Sequence, residues 1–159
     1  MNKIRTKQYV TLAAATMALG LSHLTHAAAP AYGITDLGTP PGYPICTATG
    51  INNAGQVVGT CYTSDYSGNH AFLWSAGSIT DLGTLPGQTA STATAINASG
   101  QVVGVAGSQP FLWNNGAMTA LGVPPNYPSN CMPTDINSAG AAAGTCSTPD
   151  AVTAERSPF

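Results

Sequence analysis

The chain has 159 residues, of which 43% are apolar and only 6% charged, with four Lys and Arg against six Asp and Glu. Releasing counterions from nucleic acid and docking on anionic lipid both require many cations, so this composition excludes a nucleic-acid partner and a charged membrane surface. Disordered chains pair low hydrophobicity with high net charge; this one does the reverse, and its abundant Gly, Ser, Thr and Asn read as short strands joined by tight turns.

The first stretch carries Lys3, Arg5 and Lys7, then an apolar run from about Tyr9 to Leu24, then "THA" before a cut after Ala27. That order is the pattern of a secretory signal peptide, and the run is short for a membrane span and holds His23 near its end. Residues 1–27 are therefore expected to be a cleaved signal peptide and 28–159 a single β-repeat domain. The expected location is secreted, extracellular or periplasmic, with no membrane insertion after cleavage. The remaining 132 residues keep Arg156 as their one basic side chain, for a net charge of about −5.

After the signal, one phrase recurs. "GINNAGQVVG" at 50–59 returns as "AINASGQVVG" at 95–104 and as "DINSAGAAAG" at 135–144. Aligning the three exposes units 34–78, 79–117 and 118–159, the last incomplete, with a period in the range of repeat arrays and propeller blades. Each unit reads as four strands: "CTATGI", "QVVGTC", "HAFLW" or "PFLW", and "SITDLGT" or "AMTALGV". The tetrads "NNAG", "NASG" and "NSAG" form turns between the first two, and "NNG" at 114–116 suits a hairpin with positive φ. The expected fold class is all-β, with four-stranded antiparallel repeats and a β-propeller-like, partial-propeller architecture. A solenoid or a stack of hairpins is the rival arrangement.

The residues "ITDLGTLPG", "AINASGQVVG" and "HAFLW" resemble the bacterial extracellular HAF repeats, named for their His-Ala-Phe tripeptide, over essentially all of 28–159. The resemblance implies a secreted or surface-associated repeat protein with a blade-like β fold, and it carries over no catalytic residues. Unit two departs from it with "QPFLW", and unit three loses "QVVG" and reaches Phe159 where "LW" would follow.

Cys46 and Cys61 lie fifteen apart, as do Cys131 and Cys146, and each pair straddles the recurring turn. With the first turn centred between Asn53 and Ala54, Ile51 faces Gln56, Ala48 faces Gly59, and Cys46 faces Cys61. By the same rule Cys131 faces Cys146, and unit two places Ser91 opposite Ala106, so both cysteines are absent together. Cross-strand disulfides Cys46–Cys61 and Cys131–Cys146 follow, in keeping with an oxidising compartment. Free buried thiols and a zinc site are the weaker alternatives, and for zinc neither CxxC spacing nor converging His residues are present.

Motifs for chemistry are scarce. No Ser sits in a GxSxG elbow, and "GTLPGQ" lacks the Lys of a phosphate loop. His70 opens the third strand without a positioned partner in sequence and reads as structural, and Asp36 and Asp81 read as turn or edge hydrogen-bonders. No catalytic residue, metal or cofactor is expected. Units one and three share "PPGYP" and "PPNYP", and both place an Asp four residues after the second Cys. Tyr43, Tyr62, Asp65, Tyr66, Tyr127 and Asp150 are thereby expected on one end of the repeats, where Tyr rings and carboxylates suit a carbohydrate. The functional expectation is a binding or structural role, with carbohydrate or another surface protein as partner. An extracellular propeller hydrolase or lyase acting on polysaccharide is the alternative. An incomplete last unit also leaves strand edges open, so self-association is expected.

Overall fold

The computed structural model describes residues 9–12, 32–123, 125 and 131–147. Two compact bodies divide the chain at Gly38. In the first, strands β1 (Tyr9–Leu12) and β2 (Gly33–Asp36) pair antiparallel, Tyr9 opposite Asp36. β1 lies inside the stretch read as a signal peptide, so cleavage after Ala27 would remove this partner of β2.

The second body is built wholly of antiparallel meanders, and no helix occurs among the described residues. The first sheet joins β3 (Ile45–Ile51), β4 (Val57–Tyr62), β5 (Asn69–Ser75) and β6 (Ser78–Asp81) in that order. The second joins β7 (Ser91–Ile96), β8 (Val102–Ala106), β9 (Gln109–Asn114) and β10 (Ala117–Ala120). The third is the pair β11 (Cys131–Ile136) and β12 (Ala142–Cys146). No closed barrel or ring of sheets is formed among the described residues. The fourth strand of each full repeat is shorter than expected, ending at Asp81 and Ala120 rather than running through the following Leu-Gly. Gly83 takes φ +71 there and turns the chain away from the sheet.

Register follows the cysteines but not the turn arithmetic. Cys46 faces Cys61 and Ala48 faces Gly59 as expected, whereas Ile51 faces Val57 instead of Gln56. The cause is a β-bulge between Ala48 and Gly50, which shifts the pairing by one. The extra residue is Thr49, and Thr94 and Thr134 occupy the same place in the second and third sheets. Each threonine turns its Oγ1 back to donate to the facing strand: to Val58 O (3.3 Å), Val103 O (3.0 Å) and Ala143 O (3.3 Å). A hydroxyl on a β-branched side chain thus replaces a ladder bond that the bulge removes. Both disulfides, Cys46–Cys61 and Cys131–Cys146, are formed.

Alternation along the strands gives each sheet two faces. Val58, Ala71 and Leu73 of the first sheet, with Leu82 and Leu85 behind it, meet Ala93, Ile96, Val102, Ala106 and Phe111 of the second in one apolar core. A smaller core joins Ala95, Val103 and Leu112 of the second sheet to Ile136 of the third. Consecutive sheets therefore pack face to face. In both four-stranded sheets a glycine on the second strand receives the Phe of the third: a Cβ on Gly59 would stand 2.8 Å from Phe72, and one on Gly104 would stand 2.9 Å from Phe111.

Polar joints tie the sheets together. Asn52 Oδ1 accepts from Ala54 N and Gln56 N, closing its own turn, while its Nδ2 donates to Gln56 Oε1 and to Asn97 O of the next repeat (2.9 Å). Asn97 repeats the pattern, reaching Asn137 O at 2.9 Å. Asn97 is buried and Asn52 half-buried. Ser91, which stands where the other repeats have cysteine, accepts from Ala71 N (2.9 Å) and donates to Gly83 O (2.6 Å), so the missing disulfide is replaced by a joint to the first sheet.

Candidate functional site

The strand order brings the residue before β3, the end of β4, the start of β5 and the end of β6 to one end of the first sheet. Tyr43 stands before β3, and its ring stacks on the imidazole of His70, the second residue of β5, with centroids 5.0 Å apart and planes 26° from parallel. His70 faces Cys61 across the ladder, so the imidazole and the Cys46–Cys61 bridge share one face. Its Nδ1 lies 2.8 Å from Asp81 Oδ2. Both side chains keep access to solvent, at 25% for His70 and 38% for Asp81. Asp81 Oδ1 also accepts from Gly83 N at 2.8 Å, which fixes the carboxylate against the turn. An imidazole that carries a single proton, on the nitrogen facing such a carboxylate, keeps its other nitrogen as an acceptor.

The loop between β4 and β5 adds a second cluster at the same end. Asp65 Oδ1 accepts from Thr63 Oγ1 (2.7 Å), Ser67 N (3.1 Å) and Ser67 Oγ (2.8 Å). These bonds, Thr63 foremost and then Ser67, lower the carboxyl pKa from 3.8 to about 2 by favouring its charged form. Tyr66 sits at φ +60, a conformation costly for a residue with a side chain. That backbone leaves Tyr66 66% exposed, its ring 5.8 Å from the ring of Tyr62.

Of the expected site residues, Tyr43, Tyr62, Asp65 and Tyr66 come to this end of the first sheet, whereas Tyr127 and Asp150 lie outside the described residues. His70 and Asp81 join Tyr43, although each reads as merely structural in isolation. Their pairing was accessible from the strands: Phe72 faces Asp81, which makes His70 its diagonal neighbour on the same face. Asp36 does accept from Gly38 N, as a turn hydrogen-bonder should. Among the described residues no group of three or more His, Cys, Asp and Glu is placed to hold a metal, and no hydrogen bond joins His70 to a Ser, Thr or Cys side chain.

This end of the sheet offers flat aromatic faces, an ionised carboxylate and an imidazole within one region, all partly open to solvent. No family model, curated protein or solved structure matches the chain.

Proposed function

We propose that the chain is an exported, HAF-type repeat protein whose first sheet carries a carbohydrate-binding end. The observation behind this reading is the Tyr43–His70–Asp81 stack, set beside the exposed Tyr62–Tyr66 pair and Asp65. Sugar rings stack on aromatic faces through their axial C–H groups, and carboxylates accept from vicinal hydroxyls. Two disulfides fit an oxidising, extracellular setting. Four-stranded meanders packed face to face are the construction of propeller blades, and we read the second body as part of such an array.

The test is retention on a panel of immobilised polysaccharides, with release of reducing ends measured in parallel. Retention lost about tenfold in both Tyr43→Ala and Tyr66→Ala, at unchanged circular dichroism, supports the binding reading. Failure of every polysaccharide to retain the protein would sink it. The His70–Asp81 pair also has the geometry of a general base and its orienting carboxylate. Release of reducing ends that His70→Gln abolishes would move the protein to the hydrolase or lyase reading.

A further inference from the structure

Residues 39–147 hold three aspartates, Asp65, Asp81 and Asp135, and no Glu, Lys or Arg. Asp65 and Asp81 stand at the end of the first sheet described above, and His70, the one imidazole of this stretch, has its Nδ1 at Asp81 Oδ2. A protonated His70 is thus balanced by the carboxylate it touches, and the charge of Asp65 has no basic side chain in this stretch to offset it. The loop that carries Asp65 is closed on itself. Thr63 N donates to Gly68 O, Gly68 N to Thr63 Oγ1 and Tyr66 N to Thr63 O, each at 3.0 Å. Asp65 Oδ1 takes all three bonds that Thr63 and Ser67 give this carboxylate, and Oδ2 takes none of them. The residue is exposed, and those bonds keep it ionised down to about pH 2. Next to it in the chain, Tyr66 is 66% exposed, and its ring is tilted 45° from that of Tyr62 rather than stacked on it.

We propose that Asp65, Tyr66 and Tyr62 select glycans bearing ammonium groups, that is amino sugars without an N-acetyl cap, over neutral and uronic-acid glycans. The inference rests on the carbohydrate reading of the same residues and adds the charge of the ligand to it. An aromatic face attracts a cation through its quadrupole, and a carboxylate oxygen accepts from an ammonium in a charge-assisted bond. Consecutive residues, Asp65 and Tyr66, supply both features on one closed loop, so little ordering is left for binding to impose. An N-acetyl cap removes the positive charge and two of the three N–H donors, and a hydroxyl offers the carboxylate only a bond without charge. A uronic acid brings another carboxylate to a surface whose fixed charges are all negative, and like charges placed together are penalised.

The test is calorimetric titration of the full chain with three probes: a glucosamine oligosaccharide, the same oligosaccharide after complete N-acetylation, and a uronic-acid oligosaccharide of equal length. The amine form is expected to bind about tenfold more tightly than its acetylated counterpart, and the uronic acid most weakly. Asp65→Asn should remove that preference. Asp135→Asn, which deletes the same charge from β11 in the third sheet, should keep it. Equal affinities for the amine and acetylated forms, or a preference for the uronic acid, overturn the inference and leave the carbohydrate reading standing. A preference that survives Asp65→Asn, or that Asp135→Asn lowers equally, also overturns it, because overall charge would then explain the selectivity. Binding of none of the three probes overturns it as well, and only failure of the whole polysaccharide panel removes the carbohydrate reading with it. The comparison of the three probes on the unaltered chain does not depend on any variant folding.

Discussion

Thr60 is 2% exposed and its Oγ1 has no hydrogen-bond partner, although it lies in the middle of β4. A buried hydroxyl without a partner costs free energy that an isosteric methyl does not. Thr60→Val is expected to raise stability by about 1 kcal/mol in denaturant unfolding; a loss would mean that the hydroxyl is satisfied after all. Gly59 stands at the opposite extreme, since a Cβ there meets Phe72 and the backbone of Thr47 and Ala48. Gly59→Ala should cost about 2 kcal/mol or more by the same measurement, because backbone cannot yield as a side-chain tip can. Asp65 makes a prediction in pH. Its folded pKa is depressed, so the stabilisation of its loop is complete above the ordinary value of 3.8 and is lost as pH falls through about 2. Carbon-detected titration of Asp65 Cγ should place the midpoint near the lower figure. Since the group is fully exposed, the global melting temperature should hardly register the change. Such details hide in sequence for a physical reason. The spacing of Cys46 and Cys61 fixes only the total number of residues between them, and one bulge residue plus a five-residue turn adds up to the same total as no bulge and an even turn. Thr49, Thr94 and Thr134, each three residues before the turn asparagine, were the available sign that the bulge recurs.

Between elements, the two disulfides have unequal duties. Cys46–Cys61 ties the edge strand β3 to β4 inside a four-stranded sheet, while Cys131–Cys146 closes a hairpin that is two-stranded among the described residues. Isolated hairpins of two strands are marginal in water, and a covalent loop of this size stabilises by about 3 kcal/mol in the chain-entropy model. The paired substitution Cys131→Ser with Cys146→Ser should therefore abolish exchange protection in β11 and β12 and leave the second sheet protected. Cys46→Ser with Cys61→Ser should lower stability without erasing the first sheet. Equal collapse in both variants would contradict this division. Strand identity and order were legible because each unit restates them with different residues, and a position that stays apolar through such drift is a core position. The site was less legible. Tyr43, Tyr62, Asp65 and Tyr66 stand out as residue types, but the His70–Asp81 contact depends on a diagonal across two strands and has no recurring partner to announce it.

At the scale of the whole second body, each sheet is stabilised by the face of its neighbour, and among the described residues the third sheet packs against the second alone. Met132, 46% exposed, faces Thr145 across that sheet. Concentration-dependent association is the expected outcome in light scattering after size exclusion, and a monodisperse monomer at every concentration would refute it. Asn97 should matter more than its relatives, because it is buried, closes its own turn and reaches the following repeat. Asn97→Ala is expected to cost about 2–3 kcal/mol, and Asn137→Ala, whose side chain is exposed, distinctly less.

The asparagine joints have a consequence for how such a chain can change length over generations. Asn52 gives its amide forward to Asn97, and Asn97 gives its own to Asn137. Giver and receiver are the same residue in the same turn, so the arrangement has a head and a tail, and each copied segment inherits both halves of the coupling. Unequal crossing-over inside the gene can thus lengthen or shorten the array by whole repeats while each new junction inherits its asparagine joint.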